Sequence, residues 1–215
     1  RILTCSWDKT AKVWDGQSGA CLLTLEGHSE EITSAAYSLD GQRIITASYD
    51  DTAKVWDAQI GECLLTLKGH HEPWINSAVY SPDGQRIITC SSDRTAKVWD
   101  AQSGDCLLTI GGRAHHPGFI RTAAYSPDGQ RIITATWDNI TKVFDAHTGE
   151  CLLTLPDTPG LFLQGCDFRN LHPDSDLSEE DITTLRQSGA IFNYEDARRW
   201  EKLMKRHFNI TVQYG

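Results

Sequence analysis

The chain has 215 residues, a mass of 24.0 kDa and a formal net charge of −9, so it is long enough to bury a core. The acidic excess argues against nucleic acid as the main ligand, because neutralising phosphate groups requires a basic face. No apolar stretch approaches the length that crosses a bilayer, so we expect neither nucleic acid nor a membrane as partner.

Self-similarity is the dominant pattern of the chain. Four related blocks, the first of which is ILTCSWDKTAKVWD, end at Asp15, Asp57, Asp100 and Asp145. The period of roughly 43 residues predicts a repeat architecture, in which each unit buries its apolar faces against its neighbours. Because the chain opens at Arg1 in the middle of this pattern, we expect it to be part of a longer protein.

Each repeat predicts four short antiparallel strands. In the second unit they are ITSAAYS, RIITAS, TAKVWDA and ECLLTL, which are rich in β-formers and bounded by Gly, Asp, Ser or Pro. Hairpin turns are predicted at Asp40-Gly41, Asp83-Gly84 and Asp128-Gly129, because Gly accepts the positive φ that such turns require. The repeats therefore predict an all-β fold.

The repeats resemble the WD40 family, whose signature combines a Gly-His pair with a Trp-Asp pair. The matching residues are Gly27-His28 with Trp56-Asp57, and Gly69-His70 with Trp99-Asp100. The first repeat has Trp14-Asp15 alone, and the last has His115-His116 without the glycine and Phe144 in place of Trp. The resemblance implies a β-propeller of four-stranded antiparallel blades, with about four blades in this chain, as a closed ring or as half of an eight-bladed ring.

We expect the propeller to cover residues 1–169 and a helical tail to cover residues 170–215. The expected blades are a partial one at 1–25 and full ones at 26–67, 68–110 and 111–155. Residues 161–168 have the spacing of another innermost strand, which would complete the first blade of this chain or that of a second copy in a homodimer. The segments LFLQGCDFRNLHPDS, LSEED and LRQSGAIF, which follow one another after the repeats, resemble the C-terminal segment of bacterial propeller proteins that carry a nucleotide-switch, STAND-type domain.

The WD40 resemblance also implies a buried hydrogen-bonded set in each blade. An aspartate in the turn between the second and third strands would accept from the backbone and from a histidine, and a tryptophan indole would end the chain of bonds. The implied members are His28, Ser48, Asp50 and Trp56, then His70 (or His71), Ser91, Asp93 and Trp99, and finally His116, Thr136 and Asp138. Since Phe144 has no N–H group, the last set should stop short or recruit water.

Serine, histidine and aspartate at fixed spacing also suggest a hydrolase triad. A catalytic triad occurs once, in one cleft, with an exposed nucleophile, whereas this constellation recurs in every repeat. A fully satisfied polar network stiffens a blade, so we interpret these residues as structural. We therefore predict no catalytic residue and no cofactor, with a propeller enzyme that uses the central channel as an alternative.

The positions at which the repeats differ predict a binding surface. By the WD40 resemblance, the top face carries the residue before each turn aspartate and the residues that flank the start of each innermost strand. Trp, Tyr and Arg are the residue types that anchor protein interfaces. The predicted partner-binding residues are Trp7, Tyr49, Trp74, Asn76, Phe119, Arg121 and Trp137.

The cysteines and the histidine pairs do not predict a metal site. Seven cysteines cannot form a complete set of disulfides, and four of them occupy one equivalent position in successive repeats. No Cys or carboxylate accompanies His70-His71 or His115-His116 at ligand spacing. The cysteine usage favours a reducing cytoplasm as the location of the protein.

The sequence thus predicts a non-catalytic scaffold or sensor module that binds a protein or peptide on its top face. The alternative is an architectural segment, which assembles with the rest of a larger regulatory propeller protein or with another copy of itself. Substitution of the variable aromatic residues separates the two, through loss of partner binding in the first case and loss of self-association in the second.

Overall fold

The computed structural model describes residues 1–71, 74–112 and 116–155. Fifteen strands in these ranges form four antiparallel sheets, and each sheet consists of consecutive strands. No helix occurs in the described ranges, and the predicted all-β fold of four-stranded blades is confirmed there. The expected strand at 161–168 and the expected helical tail at 170–215 lie outside the described residues.

The four sheets follow one another along the chain. The first blade has three strands, β1 (Ile2–Cys5), β2 (Thr10–Trp14) and β3 (Cys21–Glu26), which correspond in sequence to the second, third and fourth strands of the full blades. The second has β4 (Ile32–Tyr37), β5 (Arg43–Ser48), β6 (Thr52–Asp57) and β7 (Cys63–Lys68). The third has β8 (Ile75–Tyr80), β9 (Arg86–Ser91), β10 (Thr95–Asp100) and β11 (Cys106–Gly111). The fourth has β12 (Ile120–Tyr125), β13 (Arg131–Thr136), β14 (Thr141–Asp145) and β15 (Cys151–Leu155).

The second strand of each full blade is apolar along most of its length because both faces of the sheet are covered. Successive side chains on a strand point to opposite faces. Ile44 of β5 therefore packs in a core with Leu25 of the first blade, whereas its neighbour Ile45 packs in a core with Trp99 of the third. Face-to-face stacking of repeats, which the sequence period predicts, is thus the origin of the core in residues 1–123.

The fourth strand of each blade is much more exposed. In β3, β7 and β11 the first two residues, Cys and Leu, are exposed, and the leucine or isoleucine at the fifth position is the buried one. This strand is paired on one side only, so its other edge carries free backbone hydrogen-bonding groups. The outer strands therefore offer a second kind of surface, to which an added strand could bind.

Antiparallel strands place successive turns at opposite ends of a blade. We call the upper end the one that carries the turn between the second and third strands and the link into the next blade. The lower end carries the hairpin between the first and second strands and the turn between the third and fourth. The chain divides into two compact units, Arg1–Ala123 and Ala124–Gly215, and the first unit contains the first three blades.

Candidate functional site

The turns at the upper end share one geometry in the first three blades. A turn aspartate accepts both the backbone N–H and the hydroxyl of the threonine two residues later; these aspartates are Asp8, Asp50 and Asp93. The residue between them has a positive φ, which is 73° at Lys9, 67° at Asp51 and 71° at Arg94. Each turn therefore presents one side chain from a left-handed backbone position.

A buried chain of hydrogen bonds links this turn to the core. In the second blade the Trp56 indole N–H donates to the Thr46 hydroxyl over 2.8 Å, and His28 Nε2 lies 2.7 Å from the same hydroxyl. His28 Nδ1 lies 2.8 Å from Asp50 Oδ2. With the proton on Nδ1, the ring donates to Asp50 and accepts the Thr46 O–H, so all four groups are satisfied.

The third blade repeats the chain with Trp99, Thr89, His70 and Asp93, and each of its three links is 2.8 Å long. The hydroxyls that contact Nε2 of His28 and His70 belong to Thr46 and Thr89, which are fully buried. A hydrolase nucleophile has to meet its substrate in an open cleft, whereas these buried hydroxyls each accept an indole N–H. The arrangement holds the turn on the sheet and does not form a triad.

The hydroxyl in the network is not the one that the sequence pattern suggested. Ser48 donates to the Glu30 carbonyl and accepts the Asp50 N–H, so it closes the turn without touching Trp56. Trp56 lies directly across from Ile44 on β5, and its ring spans the two residues to Thr46. The missed signal is a threonine at this position in all four repeats, Thr4, Thr46, Thr89 and Thr134.

The turn carboxylates in the second and third blades are held ionised. Burial alone would raise the pKa of Asp50, but hydrogen bonds from His28, from Thr52 and from the Ser29 backbone outweigh burial and lower the pKa well below its usual value. The same balance lowers the pKa of Asp93, with the His70 ring as its main hydrogen-bonding partner. The carboxylates therefore stabilise the upper end wherever they remain charged.

The glycine of each Gly-His pair makes room for the tryptophan. Gly27 and Gly69 have φ values of 147° and 150°, and a Cβ at either position would lie 3.3 Å from the Cη2 atom of Trp56 or Trp99. The last repeat has Phe144 in place of Trp and lacks the glycine before His116. His115, which stands before His116 in place of the glycine, lies outside the described residues.

The fourth blade closes its turn differently. Ile140 occupies the position of the turn threonine and has no hydroxyl to give to Asp138. Thr136 supplies the missing contacts, because its hydroxyl bonds to the Asp138 carboxylate and accepts the Ile140 N–H. His116 is fully buried, as are the side chains of Phe144 and Thr134.

Bulges at the start of the first strands tie adjacent blades together. The register shifts between Ile32 and Ser34 and between Ile75 and Ser77, which takes Thr33 and Asn76 out of the regular pairing. The Thr33 hydroxyl donates to the carbonyl of Ile75, and the Asn76 amide donates to the carbonyl of Ile120 and to the Ser92 hydroxyl. Asn76, predicted as a partner-binding residue, thus has its amide N–H groups directed into the scaffold.

The aromatic residues predicted to bind a partner are largely exposed. Trp7 is 76% exposed, Trp74 49% and Phe119 39%, and all three lie at the upper ends of blades in the first unit. Trp137 is 61% exposed at the upper end of the fourth blade. Tyr49 and Arg121 are half-buried.

Each upper junction between blades has its own pairing. Between the first and second blades, the Lys9 ammonium lies 3.4 Å from the Glu30 carboxylate. Between the third and fourth, the Arg94 guanidinium lies over the Phe119 ring, 5.7 Å from its centroid. Between the second and third, the rings of Tyr49 and Trp74 meet with centroids 5.5 Å apart, and the Trp74 backbone N–H donates to Asp51 Oδ1.

At the lower end, arginine side chains join adjacent blades and a groove lies between two of them. Arg43 donates to the carbonyl of Ala101 in the next blade, and Arg1 donates to that of Ala58 in the same way. A groove of about 400 Å³ between the second and third blades is lined by Leu39, Arg43 and Tyr80, among others. Burial raises the pKa of Tyr80 to about 12, and its hydroxyl has no hydrogen-bond partner in the described part of the chain.

The described residues contain no group of three or more His, Cys, Asp or Glu that could hold a metal ion. Every cysteine among them is a free thiol, and burial raises the pKa of Cys90. A helix long and apolar enough to cross a membrane does not occur in ranges 1–71, 74–112 and 116–155.

Comparison with known proteins places the repeats in one family. The profile described as "WD domain, G-beta repeat" (WD40) matches residues 1–15, 19–57, 61–100 and 104–145, which is more than half of the chain. The chain is similar to Coronin-7 of Homo sapiens, with 45% identity over 42 residues, and to Coronin-7 of Pongo abelii and of Mus musculus, with 43% identity over 42 residues each. The matched stretch is 20% of this chain and 4% of the human protein, so it spans a small part of these relatives.

Proposed function

Because the chain belongs to the WD40-repeat family, we propose that it is a non-catalytic module that binds a protein or peptide through the upper ends of its blades. WD40 repeats generally mediate protein–protein interaction, and their propellers are typically scaffolds without enzymatic activity. In this proposal Trp7, Tyr49, Trp74, Phe119 and Trp137 contact the partner directly, and Arg121 contributes a charge at the rim.

The observation that carries the proposal is a contrast within the repeats. The buried residues of the network recur from blade to blade, whereas the residues at the upper ends differ and include exposed tryptophan and phenylalanine. Exposed aromatic side chains are costly to leave in water, and aromatic residues dominate the energetics of protein interfaces. A surface that varies on a repeated scaffold is suited to recognition of one partner.

The proposed setting is a regulatory protein of the cytoplasm. The free thiols of the described cysteines, several of which are exposed, suit a reducing compartment. The resemblance of residues 170–215 to the tails of bacterial nucleotide-switch proteins supports a sensor arm within a larger protein. Residues 1–169 form the propeller part in this proposal.

The proposal is tested by selecting ligands for the intact chain from a displayed random-peptide library. The affinities of the selected peptides are then measured for the wild type, for the upper-end variant Trp7→Ala/Trp74→Ala/Phe119→Ala and for the lower-end variant Leu39→Ala/Ile60→Ala. Leu39 is 80% exposed and Ile60 is exposed as well, so the second variant removes exposed apolar side chains from the opposite end.

We expect the upper-end variant to lose at least about tenfold in affinity and the lower-end variant to bind like the wild type. Circular dichroism and urea unfolding establish that both variants remain folded. Equal losses in the two variants, or a loss only in the lower-end variant, would rule out the upper ends as the binding surface.

Self-assembly is a second candidate, favoured by the first blade. Its sheet has three strands where the three that follow have four, and β1 has no neighbour on its other side among the described residues. In this proposal residues 161–168, from the same chain or from a second copy, supply the missing strand. Light scattering over a dilution series tests the intermolecular form: a stable mass near twice 24.0 kDa supports it, and a mass of 24.0 kDa throughout excludes it.

A further inference from the structure

The three upper junctions in the first unit form an internal comparison, because equivalent positions carry different chemistry. The position with positive φ after the turn aspartate is Lys9, Asp51 or Arg94. In the first and third cases the chain places its own cation at the junction, opposite Glu30 or over the Phe119 ring. At the middle junction the same position carries an acid.

The middle junction combines an aromatic pair with a carboxylate, and no cation among the described residues pairs with either of them. Tyr49 and Trp74 form a tilted aromatic pair at 5.5 Å, and Trp74 is 49% exposed. Asp51 uses Oδ1 to accept the Trp74 N–H, and its Oδ2 receives no hydrogen bond from the described residues. The Glu31 carbonyl accepts the Tyr49 N–H, so the backbone of Glu31 lies beside Tyr49.

The backbone at Trp74 supports a binding role. Its φ is 87°, which is an unusual value for a bulky residue, and the residues that precede β4 and β12, Glu31 and Phe119, do not share it. Such a conformation costs on the order of 1–3 kcal/mol and persists where the surroundings fix it, often at ligand-binding positions. Here Asp51 accepts the Trp74 N–H and the Ser92 N–H donates to the Trp74 carbonyl, so the backbone at Trp74 is held from both blades.

We propose that Tyr49, Trp74 and Asp51 form a subsite for a cationic side chain, arginine or lysine, of the bound peptide. A cation over an aromatic face within about 6 Å of the ring centroid is attracted by the ring, and the Asp51 carboxylate adds a charge partner. The net charge of −9 favours the approach of a basic segment. This subsite rests on the proposed function and specifies the chemistry that the upper ends recognise.

The probe is the capped peptide Ac-Gly-Gly-Arg-Arg-Gly-Gly-NH2, with matched peptides that carry lysine, glutamate or citrulline in place of arginine. Citrulline has nearly the shape of arginine and no charge. The readout is the indole N–H resonance of Trp74 in NMR spectra of the intact chain, identified by its loss in Trp74→Phe. We expect saturable shifts of this resonance with the arginine and lysine peptides and none with the citrulline or glutamate peptides.

Two variants are matched to other blades of the same chain. Asp51→Asn keeps an oxygen for the Trp74 N–H, and Asn139 occupies the equivalent position in the fourth blade with φ of 63°. Tyr49→Ser/Asp51→Arg copies Ser92 and Arg94 of the third blade. We expect the arginine peptide to bind about three- to fivefold more weakly to the first variant. With the second variant we expect no saturable shift, because the new arginine side chain lies over the Trp74 ring, as Arg94 lies over the Phe119 ring.

The outcomes separate this inference from the proposed function. If selected peptides depend on the upper-end aromatic residues but the citrulline peptide shifts Trp74 as strongly as the arginine peptide, the cationic subsite is wrong and the proposed function stands. If the arginine peptide shifts Trp74 equally in the wild type and in both variants, the subsite is also wrong. If no selected peptide depends on the upper ends, the proposed function fails, and the subsite fails with it.

Discussion

Thr46 accepts the Trp56 indole N–H and contacts His28, although it lies between the buried apolar residues Ile45 and Ala47 of β5. Thr46→Val keeps the volume of the side chain and removes the hydroxyl, so the buried indole N–H is left without an acceptor. We expect the free energy of unfolding to fall by about 2–3 kcal/mol, measured by urea denaturation.

Thr66→Val is the matched control for this substitution. Thr66 is exposed on β7, and its hydroxyl accepts from the Lys54 ammonium at the surface. We expect this change to alter stability by less than about 0.5 kcal/mol. Similar losses in the two variants would mean that the buried hydroxyl has no special role in the blade.

The lowered pKa of Asp50 predicts how stability depends on pH. A carboxylate whose pKa is lower in the folded than in the unfolded chain stabilises the fold above its unfolded pKa of about 4, and the contribution is lost as the pH falls through the folded pKa. Asp50→Asn removes the charge, so we expect it to be about 2 kcal/mol less stable than the wild type at neutral pH. The difference should shrink steadily below about pH 4, as unfolding curves over a pH series would reveal. A stability difference between the two proteins that stays constant at every pH below about 4 would contradict the conclusion that Asp50 is ionised in the folded chain.

Tyr80 has a buried hydroxyl that lacks a partner in the described part of the chain. A buried polar group without a hydrogen bond costs about 1–3 kcal/mol, so Tyr80→Phe should leave stability unchanged or raise it by about 1 kcal/mol. Thermal unfolding followed by circular dichroism measures the change. A clear loss of stability would indicate that the hydroxyl is bonded in solution.

At the residue scale, the sequence predicts which polar residues belong to the blade but not how they are connected. His28, Asp50 and Trp56 stand out by their spacing. Thr46 does not, because threonine is common in strands and the choice between Thr46 and Ser48 depends on how far the Trp56 ring extends along β5.

Among the elements, the link before the first strand and the third strand of a blade constrain each other through Gly27 and Trp56. Gly27→Ala should destabilise the chain by about 1–3 kcal/mol, because alanine is strained at φ of 147° and meets the indole ring. In a Trp56→Phe background we expect the steric part to disappear, because the atom that a Cβ on Gly27 would meet is Cη2 of the indole, which phenylalanine lacks.

A double-mutant cycle of these two substitutions isolates the coupling, and we expect a coupling energy of about 1 kcal/mol. The same cycle on Gly41 and Trp56 is the control, because a Cβ on Gly41 has no atom within 4 Å. If the changes in unfolding free energy caused by Gly27→Ala and Trp56→Phe simply add, the glycine is required only for its backbone conformation and not to make room for the indole ring.

Strand order and approximate strand bounds follow from the sequence because every repeat alternates β-formers with Gly and Asp. The bulges that displace Thr33 and Asn76 do not follow, since no residue type marks them. The direction of the Asn76 side chain, and hence its role as a tie to the next blade, becomes visible only when the neighbouring strand is in place.

For the molecule as a whole, the repeat period predicts stacked blades but not what meets at their junctions. Asp51 and Trp74 are far apart in the sequence pattern and meet because the link carries the chain into the adjacent blade. A repeat protein can therefore keep one scaffold and change its recognition chemistry at each junction, as Lys9, Asp51 and Arg94 illustrate.

The most direct test of the central claim is the footprint of a selected peptide in hydrogen–deuterium exchange of the intact chain. We predict slower exchange at the upper ends, in the turns that contain Trp7 and Tyr49 and at the start of β8 beside Trp74. Protection confined to the outer strands β3, β7 and β11, or to the lower-end hairpins, would contradict the claim, because it would mean that the ligand binds by strand addition or at the opposite end.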